Sequence, residues 1–169
     1  LRVLSMVIGS LTLLLAGCAG GIIPASERER ADLITTASYQ ELEQHIETRG
    51  KDTGAAKTSE LFPLCLAYSK TKRYNKLFPC LDHLEQNIRR GDKLDFYGHT
   101  SSDISPMPHL LRAEAYMELQ DYDRALKEAE KAYLIVPSGY TAGWYPEKLL
   151  RIHALATLSL VHAFRGDRA

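Results

Sequence analysis

Cysteine and histidine are the residues of this chain whose side chains suit metal binding or catalysis. The cysteines are Cys18, Cys65 and Cys80, and the histidines are His45, His83, His99, His109, His153 and His162. No HExxH motif occurs, and no histidine pairs with a cysteine at zinc-finger spacing, so we predict neither a metal site nor a cofactor. His99 lies among serines and aspartates, but a catalytic triad needs placement by a scaffold rather than nearness in sequence. We therefore predict that the chain is not an enzyme.

The first cysteine follows a short export signal. Arg2 precedes an apolar run over residues 3–16, which is too short to span a membrane comfortably and has the length of a secretory signal peptide. The run ends in Leu15-Ala16-Gly17-Cys18, which resembles the lipobox of bacterial lipoproteins. That resemblance implies a signal peptide over residues 1–17 and lipid attachment, such as palmitate, at Cys18. An ordinary signal peptide with a coincidental cysteine is the alternative.

Lipid at Cys18 explains the segment that follows. Two or three acyl chains, at about 0.8 kcal/mol per buried CH₂, hold a protein firmly on a membrane. Residues 18–25 are small and apolar, as a flexible tether requires. By resemblance to lipoprotein sorting, Ala19 directly after the cysteine implies the outer membrane, with the body facing the periplasm.

The rest of the chain, residues 26–169, has the hydrophobic spacing of helices. Ser26 with Glu29, and Ser38 with Glu41, form capping-box patterns at two helix starts. The apolar spacing predicts helices over about 27–36, 39–49, 59–70, 74–90, 106–119, 121–136 and 146–165. Pro79 is expected to kink the fourth helix or delay its start, and Asp92–Ser105 is expected to form a loop. No alternation of period two is sustained, so the predicted fold is all-α.

Two cysteines remain in this helical body. Cys65 and Cys80 lie almost symmetrically about a turn expected near Lys72–Arg73, so a helical hairpin would bring them opposite each other. An exported compartment is oxidising, which favours a disulfide. Two buried free thiols at close-packed positions are the alternative.

The helices also show an internal repeat. Residues 109–137 resemble a tetratricopeptide repeat, with small, aromatic, turn and stop residues at Ala113, Tyr116, Asp121-Tyr122, Ala125, Ala132 and Pro137. The same frame places Cys65, Tyr68, Tyr74, Leu77 and Leu84 in one earlier unit and Leu33, Tyr39 and Leu42 in another. Tyr39 and Tyr74 are 35 residues apart, close to the period of about 34 expected for such repeats. His162 and Gly166-Asp167 resemble the end of the first helix of a fourth unit without its second helix.

This resemblance implies stacked antiparallel helical hairpins, with a generic helical bundle as the alternative. It also implies a groove lined by the first helices of the hairpins. The groove frame selects Phe62, Leu66, Ser69, Lys70, Leu110, Glu114, Met117 and Glu118. Their mixture of apolar and charged groups suits an amphipathic peptide or helix.

Composition excludes one class of partner. Lys plus Arg total 21 and Asp plus Glu total 21, so the chain lacks the basic excess of nucleic-acid-binding proteins. The expected function is a lipid-anchored envelope scaffold that binds a protein or peptide, in secretion, pilus or outer-membrane assembly. The alternative is the N-terminal recognition module of a larger lipid-anchored enzyme that is truncated at Ala169.

Overall fold

The computed structural model describes residues 25–49, 58–92, 94–96, 99–102, 104–135 and 145–166. Its helices are α1 (Ala25–Thr35), α2 (Tyr39–Arg49), α3 (Thr58–Lys70), α4 (Tyr74–Arg89), α5 (Met107–Glu118), α6 (Tyr122–Ile135) and α7 (Tyr145–Arg165). The all-α prediction is confirmed. Cys18, the signal peptide over residues 1–17 and nearly all of the tether over residues 18–25 lie outside the described residues. No helix in the described part of the chain has the length and apolar character that a membrane span needs.

Pro79 was predicted to kink α4 or to delay its start, and the structure shows no delay. The helix begins at Tyr74, because the carbonyl of Arg73 accepts hydrogen bonds from the backbone N–H groups of Lys76 and Leu77. This first turn closes before the proline is reached, so the missing N–H of Pro79 does not affect it. Helix α3 also contains a proline, Pro63, as its sixth residue.

Three turns between helices share one backbone conformation. Ala37, Lys72 and Gln120 have φ angles of 56°, 58° and 60°, in the left-handed region that non-glycine residues rarely adopt. In each turn the N–H of this residue bonds the carbonyl three residues back, and the next N–H bonds the carbonyl five residues back. This is the Schellman ending of a helix, and it returns the chain after three residues. The turns therefore divide α1–α6 into three equivalent hairpins.

The hairpins stack in chain order. Each helix packs against the next one along the chain, and α5 also contacts α3 and α7. Cys65 of α3 and Cys80 of α4 are joined in a disulfide with 5.6 Å between their Cα atoms. Because these residues lie on opposite sides of the Lys72 turn at similar distances, their meeting shows that the two helices run antiparallel.

The core follows from this stacking. Its largest fully buried side chains include Leu42 of α2, three leucines of α4 and two of α5, which are Leu77, Leu81, Leu84, Leu110 and Leu111. Small residues occupy the close approaches: Ala113 of α5 meets Ala125 and Ala129 of α6, and none of the three is exposed. Small side chains at these positions let the helix backbones come together.

The segment expected to be a loop, Asp92–Ser105, contains a short ribbon. Strand β1 (Leu94–Phe96) pairs antiparallel with β2 (His99–Ser102), with Leu94 opposite Ser102 and Phe96 opposite His99. Strands of three and four residues are too short for an alternating pattern to stand out in the sequence. The ribbon lies against α3, between the second and third hairpins in chain order.

Candidate partner-binding face

The predicted groove residues lie on the first helices of the second and third hairpins. Phe62, Leu66, Ser69 and Lys70 belong to α3, and Leu110, Glu114, Met117 and Glu118 belong to α5. The two helices are in contact, so the structure does bring both halves of the set together. It does not leave all eight side chains accessible.

Part of the groove prediction is wrong, because three of its members are buried. Leu110 is 0% exposed and Phe62 is 8% exposed, and both belong to the same hydrophobic cluster. Glu114 is also only 8% exposed. A partner cannot reach these side chains without displacing neighbouring helices, so they support the fold. The members at least partly exposed are Leu66, Ser69, Lys70, Met117 and Glu118.

Glu114 of α5 forms ionic contacts with two other helices, α3 and α7. One carboxylate oxygen lies 2.8 Å from Nε2 of His153 on α7, and the other lies 3.7 Å from Nζ of Lys70 on α3. Burial by itself raises the pKa of Glu114, but the hydrogen bond from His153 and the charge of Lys70 outweigh it and hold the pKa below its usual range. The carboxylate is therefore ionised and already paired, and its role is to hold α3, α5 and α7 in register.

The exposed edge of the face has its own ion pair. Nζ of Lys72, in the turn after α3, lies 2.6 Å from Oε2 of Glu118 at the end of α5. Both side chains are well exposed, so water and salt screen this pair and its contribution to stability is small. It leaves Lys72 and Glu118 free to exchange partners at low cost, unlike the buried Glu114.

A second ionic cluster lies at the contact of α4, α5 and α6. Arg112 donates to Asp82 and to Glu85 at 2.6 Å each, and Nδ1 of His109 lies 2.7 Å from Glu128. Burial raises the pKa of Glu128, yet its hydrogen bonds with His109 and Lys131 lower that pKa to about 2. These ion pairs neutralise Arg112 and His109 of α5, a helix that contacts four other described helices.

Sequence reasoning missed His153, the partner of Glu114. The sequence signal is the spacing: His153, Thr157 and Val161 follow one another at intervals of four residues and so share one face of the helix. The structure shows that all three are buried. A histidine on the buried face of a helix requires a polar partner. Glu114, on the neighbouring helix α5, is that partner.

Comparison of the chain with protein-family models, with curated proteins and with solved structures found no match.

Proposed function

We propose that this chain is a lipid-anchored envelope scaffold, held to a membrane through Cys18, that binds a partner protein or peptide. Its binding surface is the accessible remainder of the predicted groove: Leu66, Ser69, Lys70, Met117 and Glu118. The observation that carries the proposal is the shared turn at Ala37, Lys72 and Gln120. Equivalent turns make equivalent hairpins, and a stack of hairpins presents an extended surface suited to binding another chain.

Two further features support this assignment. The Cys65–Cys80 disulfide suits an oxidising compartment outside the cytoplasm, where disulfides persist. The accessible residues combine two apolar side chains, Leu66 and Met117, with the charges of Lys70 and Glu118. This mixture fits an amphipathic segment that lays an apolar side on the face and places polar groups at its edge.

The anchor is tested separately from the binding surface. Cells that express the chain are fed labelled palmitate, and their membranes are fractionated. We expect label in the wild type and its loss, with release from membranes, in Cys18→Ser. A labelled Cys18→Ser protein, or an unlabelled wild type, would overturn the lipid assignment and leave the binding face untouched.

The binding face is tested by co-purification of a tagged chain from detergent-solubilised membranes. The variant Leu66→Ala/Met117→Ala keeps the buried Glu114 intact, and we expect its affinity for the partner to fall by about fivefold to thirtyfold, since two apolar contacts at a protein interface contribute on the order of 1–2 kcal/mol together. The matched control is Leu134→Ala, a leucine that is 79% exposed and belongs to α6, a helix that contributes no residue to the face. Equal recovery with both variants, at unchanged helical content, would exclude this surface.

A further inference from the structure

Helix α6 ends in two exposed apolar side chains. Leu134 is 79% exposed and Ile135 is 40% exposed, and the two are neighbours in the last turn of that helix. Among the large hydrophobic side chains that the structure describes, Leu134 is the most exposed. An apolar tip of this kind is a candidate contact surface.

The preceding hairpin is polar at the equivalent positions. Counted from the turn residue of each hairpin, Leu134 corresponds to Gln86 and Ile135 to Asn87 of α4. Gln86 is exposed although α5, α6 and α7 all follow α4 in the stack. The exposure of this position therefore belongs to the hairpin itself and does not depend on which helices come after it. The third hairpin places a leucine and an isoleucine where the second has two amides.

All three turns lie at the same edge of the stack, which we call the turn edge. Lys72 of the second turn pairs with Glu118 just before the third turn, and Arg73 pairs with Glu43 in the first half of α2. Helices α1, α3 and α5 therefore begin, and α2, α4 and α6 end, at the opposite edge, which we call the base. The start of α1 and the apolar end of α6 thus both lie at the base.

The proposed lipid anchor joins the stack at the base. Seven residues, 18–24, separate Cys18 from Ala25, the first residue of α1. A flexible chain of seven residues spans about 15 Å on average and about 25 Å when fully extended. The turn edge is farther from Ala25 by the length of a helix, about 16 Å for the 11 residues of α1. To bring the turn edge to the lipid, the chain would have to run back along this whole helix, so a relaxed tether places the base on the membrane side.

We propose that the base of the stack rests on the membrane surface, with Leu134 and Ile135 inserted among the lipid headgroups. This orientation rests on the lipid anchor at Cys18 in the proposed function. The anchor keeps the apolar tip at a high effective concentration near the bilayer, so a contact too weak to bind a free protein is sufficient. Apolar side chains of surface-bound helices occupy the same interfacial layer.

The orientation has a consequence for the binding face. Lys70 and Glu118, two of its accessible residues, each lie two positions before a turn residue, at the turn edge. With the base on the lipid, these residues point away from the membrane and stay open to a partner.

The test uses the full lipoprotein reconstituted into vesicles of phosphatidylethanolamine and phosphatidylglycerol, with and without dibrominated phosphatidylcholine. A bimane label is attached to an added cysteine, either Ile135→Cys at the base or Leu119→Cys at the turn edge. Leu119 is the matched position because it is apolar and 49% exposed. Cys65 and Cys80 are bonded to each other, and Cys18 carries the lipid, so the added cysteine is the thiol that takes the label.

We expect the brominated lipid to quench the label at Ile135→Cys by at least about twofold, since interfacial side chains lie about 5–10 Å into the boundary between headgroups and acyl chains. The label at Leu119→Cys is expected to keep its fluorescence. Leu134→Glu, added to Ile135→Cys, is expected to abolish the quenching, because a carboxylate is held in water. The matched control Leu119→Glu, in the same Ile135→Cys background, leaves the quenching unchanged.

Three results in protein that floats with the vesicles would overturn the membrane contact alone. They are an unquenched label at Ile135→Cys, equal quenching at Leu119→Cys, and quenching that Leu134→Glu does not change. A label at Ile135→Cys that lipid does not quench, but that a co-purified partner shields from aqueous iodide, would assign the tip to that protein. Protein that does not float with the vesicles would overturn the anchor at Cys18 and the orientation together.

Discussion

The disulfide between Cys65 and Cys80 offers the most direct test of the hairpin arrangement. The bond closes a loop of 15 residues around the Lys72 turn. In the chain-entropy account, closing a loop of that size restricts the unfolded chain and stabilises the fold by about 3 kcal/mol. For a domain of this size each 1 kcal/mol moves the melting temperature by about 2–4 °C, so reduction is expected to lower it by about 6–12 °C.

The assay is thermal unfolding of the protein purified from the envelope, with and without reductant, followed by circular dichroism. The double variant Cys65→Ala/Cys80→Ala is the matched control, because it should melt near the reduced wild type and not respond to reductant. Intact-mass analysis after alkylation in denaturant, without reduction, counts the free thiols. Alkylation of both Cys65 and Cys80, or an unchanged melting temperature on reduction, would refute the bond and its role.

Three further predictions follow from the ionic groups and the turns. Glu114→Gln leaves His153 and Lys70 without their buried carboxylate and is expected to cost about 3 kcal/mol, whereas the exposed Glu118→Gln is expected to cost much less; urea unfolding measures both, and equal effects would contradict the burial of the link. The pKa of Glu128, lowered from 4.5 to about 2, means that the stability this carboxylate contributes is present above pH 4.5 and is lost as pH falls toward 2, by up to about 3 kcal/mol. Glu128→Gln should flatten that pH dependence in denaturant titrations, and an unchanged slope would reject the assignment. Ala37→Gly removes the strain of a left-handed alanine and is expected to raise stability by about 0.5–1 kcal/mol, whereas a loss would show that this turn differs from the conformation described.

Hydrophobic spacing predicted the helices well because each is amphipathic over several turns. The predicted bounds of the second helix, 39–49, coincide with α2, and those of the sixth, 121–136, exceed α6 by one residue at each end. Pro79 does not delay the start of α4, because a proline affects that start only if it precedes the closing of the first turn, and that turn depends on Arg73. The ribbon after α4 was missed because pairing between strands is not a local property of such short segments.

The burial of three members of the predicted groove shows where a sequence pattern stops being informative. Leu66, Glu114 and Met117 fall on helix faces that periodicity identifies correctly, but periodicity does not tell whether another helix covers that face. Helix α5 has neighbours on four sides, α3, α4, α6 and α7, so every residue from Met107 to Ala115 is buried whatever its polarity.

The charged residues of α5 carry the information that periodicity lacks, namely that other helices cover this helix. A buried Arg112, Glu114 or His109 costs several kcal/mol unless an opposite charge reaches it, so each requires a partner on a different helix. Asp82 and Glu85 on α4, Glu128 on α6, and His153 on α7 supply those partners.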